Sequence, residues 1–273
     1  MCRLFGYVTE ADRSVASLLG DDGLDAFTSL TAVHDDGWGA AWHPPSTDGS
    51  VTTRTVTSPR SAALDPAYDA LVHEPLSCAG LLHLRWATGG LPVRAENTHP
   101  FHADNYAFAH NGHVAPISEL EALLRPEVRA QLVGDTDSER YFHFVLQTIG
   151  DVGDEVEGVT RALATLVEKF PRSSLNALLL APERIFAIHI NSRADSPSDL
   201  RDLPADDPLP LRHSTDYFAM DYRIREGSIE VVSSGLDEPG WTPVPLDTAV
   251  VVDLTTREVT RLDLAAVLEE RSQ

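Results

Sequence analysis

The sequence predicts a single domain of the α+β class that extends over residues 1–273. One strongly amphipathic helix is expected near residues 136–150, whereas the last third of the chain consists mainly of short apolar runs that are typical of strands. A hydrophobic content of 42% over 273 residues is enough to build a substantial core. We therefore expect helices and strands to pack around a common core rather than to form separate domains.

The first half of the chain predicts strands and helices that follow one another closely. Apolar and β-branched runs indicate strands, and stretches in which polar residues separate apolar ones indicate helices. In chain order we expect strand 2–8, helix 14–20, strand 38–43, strand 51–56, helix 61–75, strand 79–87, strand 106–112 and helix 117–124. The sequence HDDGWG predicts a turn before the second strand, because Asp-Asp-Gly bends the chain.

The best-defined helix is the stretch DTDSERYFHFVLQTIG at residues 135–150. Thr136 and Glu139 have the spacing of a capping box, and we expect Gly150 to end the helix. A second helix is expected at 154–169, followed by a strand pair within 175–190 and strands at 217–224, 228–234 and 248–254.

A polar segment at about 191–216 interrupts this strand-rich part of the chain. It contains too few apolar residues to order itself strongly, and it therefore predicts an exposed loop. The strands beyond it are too few for an independent sandwich, so we expect them to join the same sheets as the earlier strands.

The composition excludes several classes of protein. Lys and Arg number 21 against 42 Asp and Glu, so the formal net charge is −21 and a nucleic acid is not an expected partner. The chain shows neither a signal peptide nor an apolar run that could span a bilayer, so we expect a cytoplasmic protein without membrane association. Its two cysteines, Cys2 and Cys78, form no CxxC pair and predict neither a disulfide framework nor a zinc knuckle.

Cys2 stands directly behind the initiator methionine, and this position has two interpretations. The residue is either a small buried side chain at the start of a strand, or it becomes the N-terminal residue when Met1 is removed. In the second case the thiol and the α-amine belong to one residue, and their ordinary pKa values, about 8.5 and about 7.7–8.0, allow the amine to take the thiol proton. Cys2 would then carry both a nucleophile and its base.

Three further segments suit such a nucleophile, although each also has a purely structural interpretation. Arg85, at the end of a predicted strand, can bind a carboxylate with two hydrogen bonds or form a surface salt bridge. Asn111 and Gly112 are either two oxyanion donors or an ordinary Asn-Gly turn. Asp137 either binds an ammonium group or only complements a helix dipole. Taken together, the four residues and Cys2 describe a receptor that hydrolyses a γ-glutamyl amide.

The histidines raise the question of a metal site. His99 and His102 have the HxxH spacing of some zinc ligands, and so do His110 and His113. No carboxylate or cysteine completes either pair at a metal-binding spacing, so we expect no metal. The glycine-containing stretch ATGGLPVRAE lacks the lysine and the strand-to-helix pattern of a phosphate loop, and we expect no cofactor.

Six motifs occur in one order along the chain: MCRLFGY, DGWG, RWAT, ENTHPF, AHNG and GDTDSE. In this order they resemble the class II glutamine amidotransferases, and most closely the stand-alone members of that family. The resemblance covers about residues 2–150 and implies a four-layer αββα sandwich of the N-terminal nucleophile hydrolase type. It also implies hydrolysis of glutamine to glutamate and ammonia through a thioester on the N-terminal cysteine.

The resemblance also implies a role for each residue that matches a family motif. Cys2 is expected to be the nucleophile, and Asn111 and Gly112 are expected to hold the oxyanion. The substrate-binding residues that it implies are Arg85 with help from Thr88 for the α-carboxylate, Asp137 for the α-amino group, and Trp86 as a wall of the pocket. Asp36 and Trp38 match the family without an evident role.

Two features of the sequence leave the substrate open. Gly89 stands where many synthetase-linked members have a histidine, so the shape of the pocket and the handling of ammonia stay open. Because 273 residues leave no room for a synthetase domain, ammonia would pass to a separate synthetase, be released unused, or not be the product at all. The start of the chain also resembles the ergothioneine-pathway hydrolase, which removes glutamate from a γ-glutamyl sulfoxide intermediate. A third alternative, a non-catalytic glutamine-binding protein, requires that Met1 stays attached. Whether the chain forms a homodimer stays open.

Overall fold

The computed structural model describes residues 2–87, 92–195, 216–234, 236, 239–262 and 264. The strands are β1 (Arg3–Arg13), β2 (Trp38–Trp42), β3 (Arg54–Ser58), β4 (Ser77–Leu84), β5 (Phe101–Ala103), β6 (Tyr106–His110), β7 (Ala177–Leu180), β8 (Arg184–His189), β9 (Met220–Arg225), β10 (Ser228–Ser233), β11 (Thr242–Pro243), β12 (Thr248–Asp253) and β13 (Val259–Arg261). The α-helices are α1 (Val15–Ser29), α2 (Pro66–His73), α3 (Ile117–Ala122), α4 (Pro126–Arg129), α5 (Asp137–Val152) and α6 (Glu155–Lys169). Short 3₁₀ helices lie at Leu30–Ala32, Ala62–Leu64 and Ala95–Asn97.

The strands form two antiparallel sheets. The larger sheet has the order β11-β9-β10-β1-β4-β2-β3, and the smaller one has the order β13-β12-β8-β7-β6-β5. Strands from the last part of the chain enter both sheets, since β9 to β11 join the larger sheet and β12 and β13 join the smaller one. They therefore join the sheets built by the earlier strands, as the sequence predicts.

Three buried apolar clusters hold the layers together. Leu4 of β1 and Leu178 of β7 belong to the cluster between the two sheets. The next side chain along β1, Phe5, points to the opposite face and packs in a cluster with α1 and α2, because side chains alternate along a strand. Phe142 of α5 belongs to the cluster that joins α5 and α6 to the smaller sheet. The resulting order of helices, sheet, sheet and helices confirms the predicted four-layer αββα sandwich.

Helix α5 starts as predicted but ends later. Thr136 is its N-cap, and the Thr136 side chain accepts a hydrogen bond from the Glu139 backbone N–H at 3.2 Å. The helix continues through Gly150 to Val152, because the residue that adopts the left-handed conformation is Gly153, with φ of 78°. The expectation that Gly150 ends the helix is therefore wrong.

Helix α1 extends to Ser29 instead of ending at residue 20, with a kink at Gly20, and β1 extends to Arg13 instead of ending at residue 8. The remaining differences from the predicted elements concern short segments. The predicted strand 79–87 ends at Leu84, so Arg85 follows the strand rather than belonging to it. Sequence reasoning missed β5, β11 and β13, which have only two or three residues each and too little pattern to be recognised. Of the predicted loop at 191–216, residues 196–215 lie outside the described residues. Among the described helices, none combines the length and apolar character that crossing a bilayer requires.

One end of the sandwich collects the segments that carry the predicted site residues. Arg3 pairs with Leu84 in the antiparallel ladder of β1 and β4, so Cys2, which precedes β1, lies next to Arg85, which follows β4. In the smaller sheet, β6 ends at His110 and is followed directly by Asn111. Residues from both sheets thus meet at this end.

Candidate active site

A small cavity of about 20 Å³ lies at this end of the sandwich. Its lining includes Cys2, Arg85, Trp86, Gly112 and Asp137, five of the residues that the sequence predicts for the site. This volume is about that of one water molecule. The predicted residue Thr88 lies outside the described residues, as does Gly89.

Cys2 is buried, with 6% of its surface exposed, and its backbone is held on both sides. The Cys2 N–H donates a hydrogen bond of 2.9 Å to Asn111 Oδ1. The Cys2 carbonyl accepts one of 2.9 Å from Nη1 of Arg3, and Cys2 Sγ lies 3.9 Å from the Trp86 carbonyl oxygen. The contacts of the nitrogen, the carbonyl and the sulfur thus fix the position of Cys2, which lines the cavity.

Arg3 is a site residue that sequence reasoning missed. Its side chain is fully buried, and its guanidinium lies 4.1 Å from the ring centre of Tyr217 in a cation–π contact. Burial lowers the pKa of Arg3, while Tyr217 and Cys2 oppose the shift. The only signal in the sequence is a charged residue within the apolar run CRLFGYV, and its hydrogen bond to the Cys2 carbonyl explains that position.

Arg85 is oriented by the turn that contains the DGWG motif. The Arg85 N–H donates to the Gly37 carbonyl at 2.8 Å, and the Asp36 N–H donates to the Arg85 carbonyl at 3.1 Å. The Asp36 carboxylate accepts a further hydrogen bond of 2.8 Å from the Ala87 N–H. Asp36, whose role the sequence leaves open, therefore fixes the segment that carries Arg85 and Trp86.

The Arg85 guanidinium is buried, and it forms no salt bridge with a described residue. Nη1 and Nη2 donate to the carbonyls of Asp36 and Pro92, each at 3.3 Å, and these oxygens carry no full charge. Burial lowers the pKa of Arg85, and the nearby Cys2 and Asp36 oppose the shift. A substrate carboxylate would give this guanidinium a charged partner at close range.

Asn111 and Gly112 present two hydrogen-bond donors beside Cys2. Asn111 is fully buried, and its backbone N–H donates to the Asn176 carbonyl at 2.7 Å. Within the described part of the chain, its Nδ2 has no hydrogen-bond partner. The Gly112 N–H likewise has no hydrogen-bond partner among the described residues. A Cβ at Gly112 would overlap the Ser174 carbonyl oxygen, so only glycine fits this close approach.

Asp137 begins helix α5 and is buried, with 7% of its surface exposed. Its Oδ2 accepts a hydrogen bond of 2.6 Å from the Val114 N–H and lies 3.6 Å from Nδ1 of His113. Both contacts use the same oxygen. Oδ1 makes no hydrogen bond to a described residue, so it can accept one from another donor. The carboxylate lies at the N-terminus of the helix, where the helix dipole favours its charge.

His110 connects the smaller sheet to the start of α5. Its Nε2 lies 2.8 Å from the Ser174 carbonyl and its Nδ1 lies 2.9 Å from Ser138 Oγ. Because a carbonyl oxygen only accepts hydrogen bonds, we assign the ring proton to Nε2. Nδ1 is then the acceptor, and the Ser138 hydroxyl donates to it. Burial lowers the pKa of His110, and the Asp137 charge opposes the shift. His110 is therefore neutral, and its two hydrogen bonds position the loop that contains Asn111 and Gly112.

His83 and His99 lie next to the cavity in a contact that the sequence does not predict. Their ring centres are 4.4 Å apart, and their exposed surfaces are 0% and 4%. Burial holds the pKa of both well below the ordinary value, with smaller contributions from Arg85 at His83 and from His83 at His99. The HxxH pairs that the sequence singles out do not form a metal-ligand cluster among the described residues, since His99 groups instead with His83 and Cys2.

These two buried histidines make stability depend on pH. The unfolded chain titrates them near 6.5, whereas the folded protein holds both pKa values well below 6.5. Their contribution to the free energy of unfolding is therefore fully present above about pH 6.5 and is lost as the pH falls. We expect the denaturant midpoint to fall between about pH 7.5 and about pH 5.5, and to fall less in the variant His99→Asn. Equal pH dependence in wild type and variant would contradict this assignment.

Two residues outside the cavity have structural roles. Trp38, whose role the sequence leaves open, is fully buried, and its Nε1–H donates to Asp65 Oδ2 at 3.0 Å. Cys78 Sγ lies 3.3 Å from Asp12 Oδ1. Burial and the Asp12 carboxylate raise the pKa of the Cys78 thiol to about 11, so it forms little thiolate at neutral pH. Cys78 thus serves as a control for the reactivity of Cys2.

Comparison with known families and proteins agrees with the family that the sequence motifs resemble. The family model described as glutamine amidotransferases class-II matches residues 1–203. A glutamine–fructose-6-phosphate aminotransferase [isomerizing] of Pseudomonas syringae pv. tomato is 30% identical over 239 residues, which cover 84% of this chain and 35% of that protein. A protein of the same description from Shouchella clausii is 30% identical over 168 residues, covering 61% of this chain and 25% of that protein. The chain thus spans about a third or less of the length of these curated relatives.

Solved structures share the fold at lower sequence identity. A glutamine aminotransferase class-II domain protein from Silicibacter pomeroyi aligns with a TM-score of 0.61 and 20% identity, covering 96% of this chain and 99% of that one. The glutamine phosphoribosylpyrophosphate amidotransferase of B. subtilis aligns with a TM-score of 0.58 and 14% identity, covering 95% of this chain and 48% of that one. At these identities the alignments show the fold alone.

Proposed function

The chain belongs to the class II glutamine amidotransferases, and we propose that it hydrolyses the γ-amide of glutamine through a thioester on Cys2. The observation that carries the proposal is the contact between the Cys2 nitrogen and Asn111 Oδ1, at 2.9 Å, beside Asn111 Nδ2, which makes no hydrogen bond to any residue that the structure describes. One amide side chain thereby orients the proposed base and offers a donor to the reacting carbonyl.

The first step requires that Met1 is removed, because only a free α-amine has a lone pair that can accept the thiol proton. The Cys2 peptide N–H donates to Asn111 Oδ1, and after removal of Met1 the same hydrogen bond would use one N–H of the amine and direct its lone pair away from Asn111. The amine takes the Cys2 proton, and the thiolate then forms a bond to the carbonyl carbon (Cδ) of the γ-carboxamide of glutamine. The electrons of the C=O bond move to the oxygen, which becomes the oxyanion.

The oxyanion would be stabilised by Asn111 Nδ2 and the Gly112 N–H, which have no other partner among the described residues. When the tetrahedral intermediate collapses, the C–N bond breaks and the amide nitrogen takes the proton from the Cys2 ammonium, so ammonia leaves. Water, deprotonated by the same amine, then attacks the thioester carbon. The C–S bond breaks, and glutamate and the regenerated thiol are released.

The α-carboxylate and α-ammonium of glutamine have complementary groups in the cavity. We place the carboxylate on Arg85, whose close contacts are to uncharged carbonyls, and the ammonium on Oδ1 of Asp137. Trp86 forms a wall, and its ring is packed against His34 and Tyr217 at 5.6 and 6.5 Å between ring centres. Thr88 is proposed to assist at the carboxylate.

The experiment that tests this function is the intact mass of the purified protein before and after reaction with a diazoketone analogue of glutamine. We expect a chain that lacks methionine and gains one adduct. The adduct should be lost in Cys2→Ala and kept in Cys78→Ala, since the Cys78 thiol has a raised pKa of about 11. A retained Met1, or an adduct on Cys78, would overturn the mechanism and favour a non-catalytic binding protein.

The leaving group is tested separately, by comparing glutamate release from glutamine with release from γ-glutamyl thioether sulfoxides. We expect glutamine to be the better substrate by kcat/KM, with ammonia passed to a separate synthetase as partner. Preference for the sulfoxide would instead assign the chain to the alternative γ-glutamyl sulfoxide hydrolysis, with Cys2 in the same role.

A further inference from the structure

Three potential metal ligands converge at the cavity although they are far apart in sequence. Cys2 Sγ, one ring nitrogen of His83 and one ring nitrogen of His99 all lie within 4.8 Å of one another. Cys2 precedes β1, His83 lies in β4, and His99 lies between a 3₁₀ helix and β5. All three are buried, with exposed surfaces of 6%, 0% and 4%.

The two imidazoles have no other visible use. Neither ring nitrogen of His99 makes a hydrogen bond among the described residues, and His83 makes none of good geometry, although the His110 backbone lies close enough to act as a weak hydrogen-bond partner that raises the pKa of His83. Buried polar side chains are hydrogen-bonded in most proteins, so two adjacent imidazoles with so few partners need an explanation. The proposed hydrolysis uses neither of them.

The donor set of one thiol and two imidazoles matches the preference of zinc. Zn²⁺ is bound by Cys sulfur at about 2.3 Å and His nitrogen at about 2.0 Å, usually in a tetrahedral arrangement. In such a site neighbouring ligand atoms lie about 3.5 Å apart, so the three atoms, now within 4.8 Å, would have to approach by about 1 Å. Three protein ligands would leave a fourth position for water or for the α-amine of a processed Cys2.

We propose that Cys2 Sγ, His83 and His99 form a binding site for Zn²⁺ and that the bound ion reversibly inhibits the enzyme. When the ion binds, a zinc–sulfur bond forms, the thiol proton is released to solvent and no group is oxidised or reduced. The sulfur electrons that would attack a carbonyl are then shared with the metal. Inhibition rests on the proposed function of Cys2, whereas metal binding does not, because a thiol and two imidazoles bind zinc whether or not Met1 is removed.

Binding is tested with Co²⁺ and Zn²⁺ on the full chain. We expect one Co²⁺ per chain with a thiolate-to-cobalt charge-transfer band, and Zn²⁺ should displace it in a competition titration. The band should vanish in Cys2→Ala. Loss of even an outer-shell partner weakens metal sites by about 10- to 100-fold, so His83→Asn and His99→Asn should each weaken Zn²⁺ binding by at least about tenfold. Thermal unfolding of each variant shows whether it has folded.

Two variants serve as matched controls. Cys78→Ala removes the other thiol and His102→Asn removes an exposed histidine of the same motif, and neither should change the band or the Zn²⁺ affinity. A band that survives in Cys2→Ala, or an unchanged Zn²⁺ affinity in both His83→Asn and His99→Asn, would overturn the site.

The effect of Zn²⁺ on glutamate release is measured in a separate experiment. Zn²⁺ should stop glutamate release and a chelator should restore it, and a Cys2 that already carries the glutamine-analogue adduct should no longer give the cobalt band. Zinc that binds without affecting glutamate release would overturn the inhibitory role. A chain that binds Co²⁺ but releases no glutamate from any γ-glutamyl compound would overturn the proposed function and leave the metal site standing.

Discussion

Asn111→Ala is expected to lower the turnover number for glutamine by about two to three orders of magnitude and to leave the fold intact. The loss follows because the variant removes one of two proposed oxyanion donors, and such a donor contributes about 3–4 kcal/mol to transition-state stabilisation. The fold should persist because the backbone hydrogen bond from Asn111 to Asn176, of 2.7 Å, does not involve the side chain. Steady-state kinetics and thermal unfolding measure the two effects.

The variant Asn111→Asp separates the two roles that we give this side chain. Aspartate keeps an oxygen that can accept the hydrogen bond from the Cys2 nitrogen, now 2.9 Å from Oδ1, but it replaces the Nδ2 donor by a second oxygen. If stabilisation of the oxyanion dominates, Asn111→Asp should be at least as slow as Asn111→Ala. Recovery of activity in the aspartate variant, or a loss below tenfold in the alanine variant, would show that Nδ2 does not hold the oxyanion.

Gly112→Ala is expected to lower both stability and activity strongly. A Cβ at this position would overlap the Ser174 carbonyl oxygen and would lie 2.5 Å from Nε2 of His110. The overlap with a backbone atom cannot be relieved by a rotamer change, so we expect a loss of about 1–3 kcal/mol or more in the free energy of unfolding. Because the loop that carries Asn111 must move, glutamate release should also be lost.

Gly150→Ala is the matched control for this substitution. Gly150 lies inside α5, and a Cβ there would meet no atom within 4 Å. Alanine is favoured over glycine in a helix by about 1 kcal/mol, so this variant should be as stable as the wild type or more so, with unchanged activity. Denaturant titrations measure the free energy of unfolding of both variants. If Gly112→Ala were as stable as Gly150→Ala, the loop at Gly112 would not be as tightly packed as described.

Local patterns in the sequence were sufficient for most of the fold. The capping residues of α5 and the apolar runs of β1, β4 and β6 are signals that act within a few residues, and they predict these elements directly. The end of α5 was missed because two glycines, Gly150 and Gly153, are close together, and sequence alone does not tell which one becomes left-handed.

Contacts between distant segments could not be predicted in the same way. The role of Asp36 depends on a hydrogen bond to the Ala87 N–H, 51 positions away, and nothing in the HDDGWG turn itself indicates that partner. The grouping of Cys2, His83 and His99 depends on the register of β1 against β4 and on the path of the chain before β5. Family resemblance placed the predicted residues near one another without revealing how Arg3 and His110 hold them.

The position of β1 determines when during synthesis the site can exist. β1 lies between β4 and β10 in the larger sheet, and the Leu4 N–H donates to Ser233 Oγ at 2.9 Å. The Cys2 thiol, which is the proposed nucleophile, therefore depends on a neighbouring strand, β10, that begins only at Ser228. We expect nascent or truncated chains that end before residue 228 to consume no glutamine, so that the cell would not lose nitrogen to unfinished molecules.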